Sequence, residues 1–257
     1  MSYQDVLVDK EGPIATLTMN RAAKRNALCL NLLEEMRHAL EDLARQRQVR
    51  VIVLAGKGPV FSAGHDLGEL MPSSILEYRR IFAACMNMML LLHQVPQPVI
   101  AKVHGVATAA GCQLVAACDL AVASADARFA TPGVKIGFFC TTPMVPLSRA
   151  IGRKRSLEML FTGEFISAEQ ALQFGLLNRV VEPSQLDAAV LELAEQICQF
   201  SRTVIAMGKE AFYRQIEMTE QLAYAYASEV IAANGTMPVA REGMAAFLEK
   251  RQPVWPE

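Results

Sequence analysis

Three short segments of this 257-residue chain carry residue types capable of chemistry, and one of them, a helix start, suits a negatively charged oxygen. The first is Ser62-Ala63-Gly64-His65-Asp66-Leu67, which follows the apolar Phe61 and reads as a strand turning sharply into a helix. Small residues at such a turn let backbone approach a ligand closely. In the second, Ala107, Thr108, Ala109, Ala110 and Gly111 lead into an apolar helix. A helix start presents N–H groups that lack intrahelical partners and the positive end of the dipole. The third runs from Phe129 through Thr131-Pro132-Gly133 to Phe138-Phe139-Cys140.

Acid–base side chains are scarce in these segments. Gln113 can position a water or a polar group, but its amide is no proton acceptor near neutral pH. Gly133 has no side chain. His65 is the only one of the four histidines inside a segment. Asp66 reads as a partner for backbone rather than a reactive group. The Cys140 thiol, with an ordinary pKa of about 8.5, is at most a weak acid. Phe138 and Phe139 read as pocket wall or core.

The elements that must position these residues follow from periodicity. Residues 6–9 and 14–19 read as strands joined by a Lys-Glu-Gly-Pro turn. Leu32, Leu33, Met36, Ala39, Leu40 and Leu43 form a helical stripe. Residues 51–55 and 99–103 are short continuous apolar strands, the first ended by Gly56 and Gly58-Pro59. A helix is expected over 75–95 and another over 111–117, with strands at 120–123 and 128–130. This alternation predicts an α/β fold. From Ser167 onward the pattern is helical, over 167–174, 183–200, 203–216, 220–233 and 238–250, and Ser167 with Gln170 fits a capping box. The expected organisation is a core over 1–182 and a helical region over 183–257 that packs on a neighbour or on another subunit.

Composition narrows the function classes. Hydrophobic residues make up 52%, enough for a sizeable core, and the net charge of −1 gives nucleic acid no long-range attraction. The six cysteines form no C-x-x-C pair and no Cys/His cluster with zinc spacing, which predicts no metal site and a reducing compartment. The N-terminus is mixed polar and resembles no targeting sequence, and the most apolar helix is too short and polar to span a bilayer. A cytoplasmic protein without membrane or nucleic-acid partners is the expectation.

Taken together, the three segments resemble the enoyl-CoA hydratase/isomerase, or crotonase, family. The likeness extends from Met19-Asn20-Arg21, Lys24 and Asn26-Ala27-Leu28 to Glu242-Gly243-Met244 and Phe247. It implies a ClpP/crotonase-like spiral of ββα units with a C-terminal helical trimerisation region, assembled as a homotrimer or a dimer of trimers. It implies an acyl-CoA or enoyl-CoA substrate, with coenzyme A as part of the substrate and no other cofactor.

By the same resemblance, the amides of His65 and Ala110 form an oxyanion hole, with Ala110 standing where relatives usually have glycine. One such donor is worth about 3–4 kcal/mol in a well-studied hydrolase. The resemblance places substrate contacts at Arg21, Lys24 and Asn26, at Ala63, Gly64, Asp66 and Leu67, at Ala109 and Gly111, and at Pro132 and Phe138. Phe247 and Lys250 resemble the family's contacts to the CoA nucleotide. Hydratases of the family carry glutamates at the positions of Gln113 and Gly133. Losing a positioned acid–base group typically forfeits about 10²–10⁴ in rate.

The expectation is therefore a thioester-binding protein that stabilises an enolate and hydrates weakly, if at all, by the two-glutamate route. Ser-Ala-Gly-His-Asp also resembles the turn of the family's methylmalonyl-CoA decarboxylases, which manage without these glutamates. Those enzymes have a tyrosine slightly downstream of the second carboxylate position, and the nearest residue here is Cys140. A malonyl-type CoA decarboxylase and a non-catalytic acyl-CoA-binding or regulatory protein are the alternatives. A subgroup of the family that shares the run around 107–116 also lacks both glutamates.

Overall fold

The computed structural model describes residues 3–256. The chain opens with a hairpin, β1 (Val6–Glu11) and β2 (Ile14–Met19), closed at Gly12, whose φ of +56° favours glycine. Helix α1 (Leu30–Ala44) returns to β3 (Val51–Gly56). A short α2 (Leu67–Leu70) and the long α3 (Ile75–Gln94) lead to β4 (Val99–Val103) and β5 (Val106–Thr108). Then come α4 (Ala110–Ala117), β6 (Leu120–Ser124) and β7 (Arg128–Ala130). Beyond them lie α5 (Met144–Ile151), α6 (Arg153–Thr162), β8 (Ile166–Ser167), α7 (Ala168–Phe174) and β9 (Arg179–Val181). Four helices finish the chain: α8 (Leu186–Cys198), α9 (Arg202–Gln215), α10 (Glu220–Thr236) and α11 (Pro238–Leu248).

Six strands form one sheet in the order β1-β2-β3-β4-β6-β9, parallel beyond the first hairpin. A smaller three-stranded sheet has the order β5-β7-β8. The first five residues of β3 are buried, as a central parallel strand with both faces covered requires. Its alternation assigns the faces. Ile52 and Leu54 join the main core with the α1 stripe, while Val51 and Val53 pack with Leu186, Ala189 and Val190 of α8 on the other side.

Helix α9 is held by a buried cation. Lys209 Nζ donates to the carbonyls of Leu92 at 2.7 Å and Gln97 at 2.8 Å and to Asp119 at 2.6 Å, which satisfies all three of its protons. Asp119 also accepts from the Val99 amide at 2.6 Å and from the Tyr213 hydroxyl at 2.8 Å. Burial lowers the Lys209 pKa, and the Asp119 carboxylate opposes that shift. His93 at the end of α3 stacks on Tyr213 at 3.9 Å.

Most sequence-expected elements are present within a few residues, and both atoms of the Ser167/Gln170 capping box are in place. The pattern of residues did not indicate β5, β8, β9, α5 and α6. The three strands have two or three residues each, too few to display a period. Removing the buried cation while leaving its carboxylate should be severe: Lys209→Met is expected to cost about 3 kcal/mol in urea unfolding. Pairing it with Asp119→Asn should recover part of that loss.

Candidate active site

Asn26 sits at the root of the site. It is fully buried in a left-handed conformation (φ +50°) and accepts from the Arg21 amide at 3.0 Å. Its amide group reaches the carbonyls of Lys57, Val60 and Phe61 at 2.9–3.0 Å. This ties the end of β3 to the segment entering the turn. Ser62 donates to the Asn26 carbonyl at 2.8 Å, and the Leu28 amide donates to the Gly64 carbonyl at 2.7 Å. Asp66 caps α2 through the Gly68 amide at 3.1 Å and pairs with Arg21 at 3.1 Å. Arg21, Asn26 and Asp66 thus brace the turn, and Lys24 lies exposed on the 3₁₀ turn Ala22–Lys24.

The turn then meets the start of α4 at close range. Ser62 pairs with β5 on both sides, its amide to Val106 at 3.2 Å and its carbonyl to the Thr108 amide at 3.0 Å. Gly64 has φ +90°, and a Cβ there would come within 2.9 Å of the Ala109 Cβ and 3.0 Å of the Thr108 carbonyl. A Cβ on Gly111 would lie 2.3 Å from the Ser62 carbonyl oxygen. Ala109 has φ +49° and ψ −118°, a strained geometry for an L-residue, and its amide is held by the Ala130 carbonyl at 2.9 Å. The strain therefore falls on Ala109, and Ala110 begins the helix. Among the described residues, neither the His65 amide nor the Ala110 amide has a hydrogen-bond acceptor.

The His65 ring is largely enclosed. Its Nδ1 lies 3.3 Å from the Leu28 carbonyl, which makes Nδ1–H the donor and leaves Nε2 a lone pair. That Nε2 is buried without a partner. Burial lowers the His65 pKa, and the Leu28 carbonyl only partly opposes the shift, so the ring is neutral at pH 7. Gln113 is buried on the first turns of α4 with its Oε1 unpartnered. Thr131, which residue type alone did not single out, is fully buried with an unpartnered hydroxyl. Its segment is joined to the helix start through the Ala109–Ala130 hydrogen bond.

Pro132 and Gly133 begin a 3₁₀ turn, Pro132–Ile136, that folds back so that the Phe138 amide donates to the Gly133 carbonyl at 2.9 Å. A Cβ on Gly133 would meet the Phe138 carbonyl oxygen at 2.0 Å and Cys140 Sγ at 2.8 Å. No side chain fits there while the loop holds this shape. Burial raises the Cys140 pKa, so its thiol stays protonated. Phe138 stacks with Tyr78 and Phe82 of α3, and Phe82 meets the His65 ring edge-on at 5.1 Å. Tyr78 and Phe82 were missed because their spacing reads equally as the buried stripe of a helix. Ala63 and Leu67 are exposed beside the turn, whereas Phe247 and Lys250 lie exposed at the end of α11. Among the described residues no group of three or more His, Cys, Asp or Glu is placed to hold a metal ion.

The enoyl-CoA hydratase/isomerase family model matches residues 9–257. The chain belongs to this family. A mouse relative, enoyl-CoA hydratase domain-containing protein 3, mitochondrial, is 45% identical over 94% of this chain and 81% of its own length. The crystal structure of human enoyl-CoA hydratase domain-containing protein 3 superposes with a TM-score of 0.96 at 42% identity, covering 98% of this chain and all of that one. A Mycobacterium smegmatis enoyl-CoA hydratase structure gives 0.96 at 49% identity, over 98% of this chain and 99% of that one. The crotonase fold expected from the sequence is the fold observed. The expectation of a cytoplasmic location is corrected: the mouse relative is named as a mitochondrial protein, and neither cysteine usage nor net charge distinguishes two reducing compartments. No helix is long and apolar enough, among the described residues, to cross a membrane.

Two substitutions of opposite sign probe the turn–helix contact. Gly64→Ala should lower stability by about 1–3 kcal/mol, because both its φ and its Ala109 neighbour oppose a side chain. Ala109→Gly should raise stability, by up to about 1 kcal/mol, once relief of strain is set against the greater backbone entropy of glycine. Urea unfolding reads both. Acid sensitivity should also report His65. With its folded pKa below the usual 6.5, the unfolded chain binds the proton first, so stability falls as pH drops below about 6.5. His65→Gln should flatten part of that fall in pH-dependent melting, and His93, lowered chiefly by burial as well, supplies another part.

Proposed function

We propose that this protein binds acyl-CoA thioesters and stabilises their enolate through the amides of His65 and Ala110. The observation that carries this reading is the pair of unpartnered amides, one on the turn and one at the helix start, on segments in contact through Gly64. Two such donors in a water-poor setting favour an oxygen that gains charge as a proton or a carboxyl group leaves Cα. Coenzyme A is then part of the substrate, and no separate cofactor is needed.

The proton-transfer half of hydration is poorly provided for. Gln113 is neutral, Gly133 cannot carry a side chain in the present loop, His65 is an uncharged imidazole and Cys140 a protonated thiol. The favoured reading is therefore thioester binding with weak hydration. The same neutrality supports a second reading, a malonyl-type decarboxylation. There the bond from Cα to the carboxylate breaks, its electrons enter the thioester enolate, CO₂ departs, and Cα later takes a proton. A non-catalytic acyl-CoA-binding protein would bind the same ligands without turnover.

Assembly as a trimer or a dimer of trimers belongs to this reading. Phe212 of α9, Ile216 just after it, and Leu222, Tyr224 and Ile231 of α10 are exposed apolar residues of a kind that marks interfaces. Light scattering at micromolar concentration should give three or six times the monomer mass, and a monomer would refute it.

Calorimetry with acetoacetyl-CoA tests binding, and absence of any heat or thermal shift at millimolar ligand would sink the oxyanion reading. Crotonyl-CoA hydration should be slow. Gln113→Glu alone should raise it, by up to about 100-fold if the new carboxylate is well placed. Gly133→Glu should instead destabilise the protein by displacing the loop to Cys140. Fast hydration by the wild type, unaffected by His65→Ala and Cys140→Ala, would mean that an acid–base pair lies elsewhere. CO₂ release from methylmalonyl-CoA distinguishes decarboxylation from binding alone.

A further inference from the structure

Helix α11 ends on a residue type that its geometry does not favour. Lys250 has φ +54°, in the left-handed region where glycine usually closes a helix. The closure itself is regular: the Arg251 amide donates to the Ala246 carbonyl at 3.0 Å and the Lys250 amide to the Phe247 carbonyl at 3.2 Å. A side chain in this conformation persists only where the surroundings over-determine it. The residues that follow supply that constraint. Arg251 turns back on the helix and grips Glu242 in a fork, Nη1 to Oε1 at 2.6 Å and Nη2 to Oε2 at 3.0 Å. The Val254 amide donates to the same carboxylate at 2.7 Å. Trp255, the only tryptophan in the chain, packs against Gly243, where a Cβ would lie 3.3 Å from its ring. Its indole N–H donates to the carbonyl of Gln199, the C-cap of α8, at 2.8 Å.

The tail thus ties α11 to α8, which lies on the main sheet. It also gives Glu242 and Gly243 a role: one receives the fork and the other makes room for the indole. Burial does little to hold the helix, since Val239 and Ala246 are its only buried residues. The end so fixed presents an aromatic ring and a free cation. Phe247 is 83% exposed. Among the described residues Lys250 has no ion pair, whereas Arg251 is shared between Glu242 and Glu249. An exposed ring can stack on a planar base, and an unpaired ammonium can hold a phosphate.

We infer that the tail from Arg251 to Trp255 is a strap that presents Phe247 and Lys250 to the nucleotide end of bound CoA, with Glu242, Arg251 and Trp255 as positioning residues. The inference rests on the CoA-thioester reading above and adds residues outside the oxyanion turn. CoA carries an adenine ring and phosphates at the end remote from the thioester, which matches a ring beside a cation. Without the strap, the left-handed turn at Lys250 loses its constraints and α11 its tie to α8, so the competent arrangement becomes a minor one. Apparent affinity falls in proportion to that population.

Calorimetry on the assembled protein with acetoacetyl-CoA and free CoA tests this. If loss of the strap leaves the arrangement populated about a tenth of the time, Trp255→Ala and Glu242→Gln each weaken acetoacetyl-CoA about tenfold. Lys250→Ala should cost a similar factor, and Trp255→Ala with Lys250→Ala no more than either alone, because both remove one contact. Trp255→Phe, which keeps a ring over Gly243 and loses the bond to Gln199, should fall between. Glu242→Gln is isosteric and serves where Trp255→Ala does not fold. In it the fluorescence of the single tryptophan should shift to the red as the indole leaves Gly243. Unchanged affinity in Trp255→Ala and Glu242→Gln would overturn the strap, as would losses that multiply in the double variant. Free CoA bound as tightly as acetoacetyl-CoA, with both weakened in the strap variants, would overturn the oxyanion reading and leave the strap standing. No binding of either ligand would overturn both.

Discussion

The contact between the Ser62–His65 turn and the start of α4 is the constraint on which the site depends. Two backbone segments approach so closely that a methyl group on Gly111 would collide with the Ser62 carbonyl and one on Gly64 with the Ala109 Cβ. The approach is fixed from both sides. Asn26 and Ser62 hold the turn against the end of β3, and β5 with the Ala130 carbonyl holds the helix start. The left-over strain appears at Ala109, whose positive φ is maintained because its neighbours on each side are already hydrogen-bonded or packed. Backbone strain of about 1–3 kcal/mol persists only where the surroundings over-determine it, and such places cluster at functional sites.

The helical end of the chain supports the same site at a distance. Lys209 of α9 takes the Leu92 carbonyl at the end of α3, and His93 is stacked on Tyr213. One end of α3 is therefore anchored by α9 while the other carries Tyr78 and Phe82 beside His65. Residues after Pro183 also cover the outer face of the main sheet through α8. The region that reads from sequence as an appended helical tail thus contributes both to the core and to the positioning of α3.

The fold was legible where periodicity was long or the turn chemistry strong. The α1 stripe, the buried β3 and β4, and the Ser167/Gln170 cap all follow from residue types. Strands β5, β8 and β9 were invisible because their pairing is set by neighbours rather than by their own few residues. Thr131, Tyr78 and Phe82 were invisible for another reason. A threonine before a proline and two aromatics on an apolar helix face are ordinary residues until tertiary packing shows one hydroxyl without a partner and two rings aligned with His65. Residue type distinguished Gly133 as lacking a carboxylate. Only the path of the loop, with the Phe138 carbonyl 2.0 Å from a would-be Cβ, reveals that the position is closed.

That closure bears on how the proposed chemistry divides. Had Gly133 been merely a missing side chain on an open loop, the protein would be a hydratase lacking one replaceable part. Instead the space is filled by the chain's own carbonyl and by the Cys140 thiol, whose pKa burial raises by more than the Gly133 amide lowers it. Gln113 is a buried neutral group with one unpartnered end. In the proposed reading the amides of His65 and Ala110 receive the developing oxyanion, and the nearby Gln113, His65 and Cys140 are uncharged. Under that reading the site lowers the energy of an enolate yet supplies no strong base to create one from an unactivated thioester. Substrates whose own bonds deliver the electron pair, or ligands that are bound and not converted, are the ones such a lining can serve.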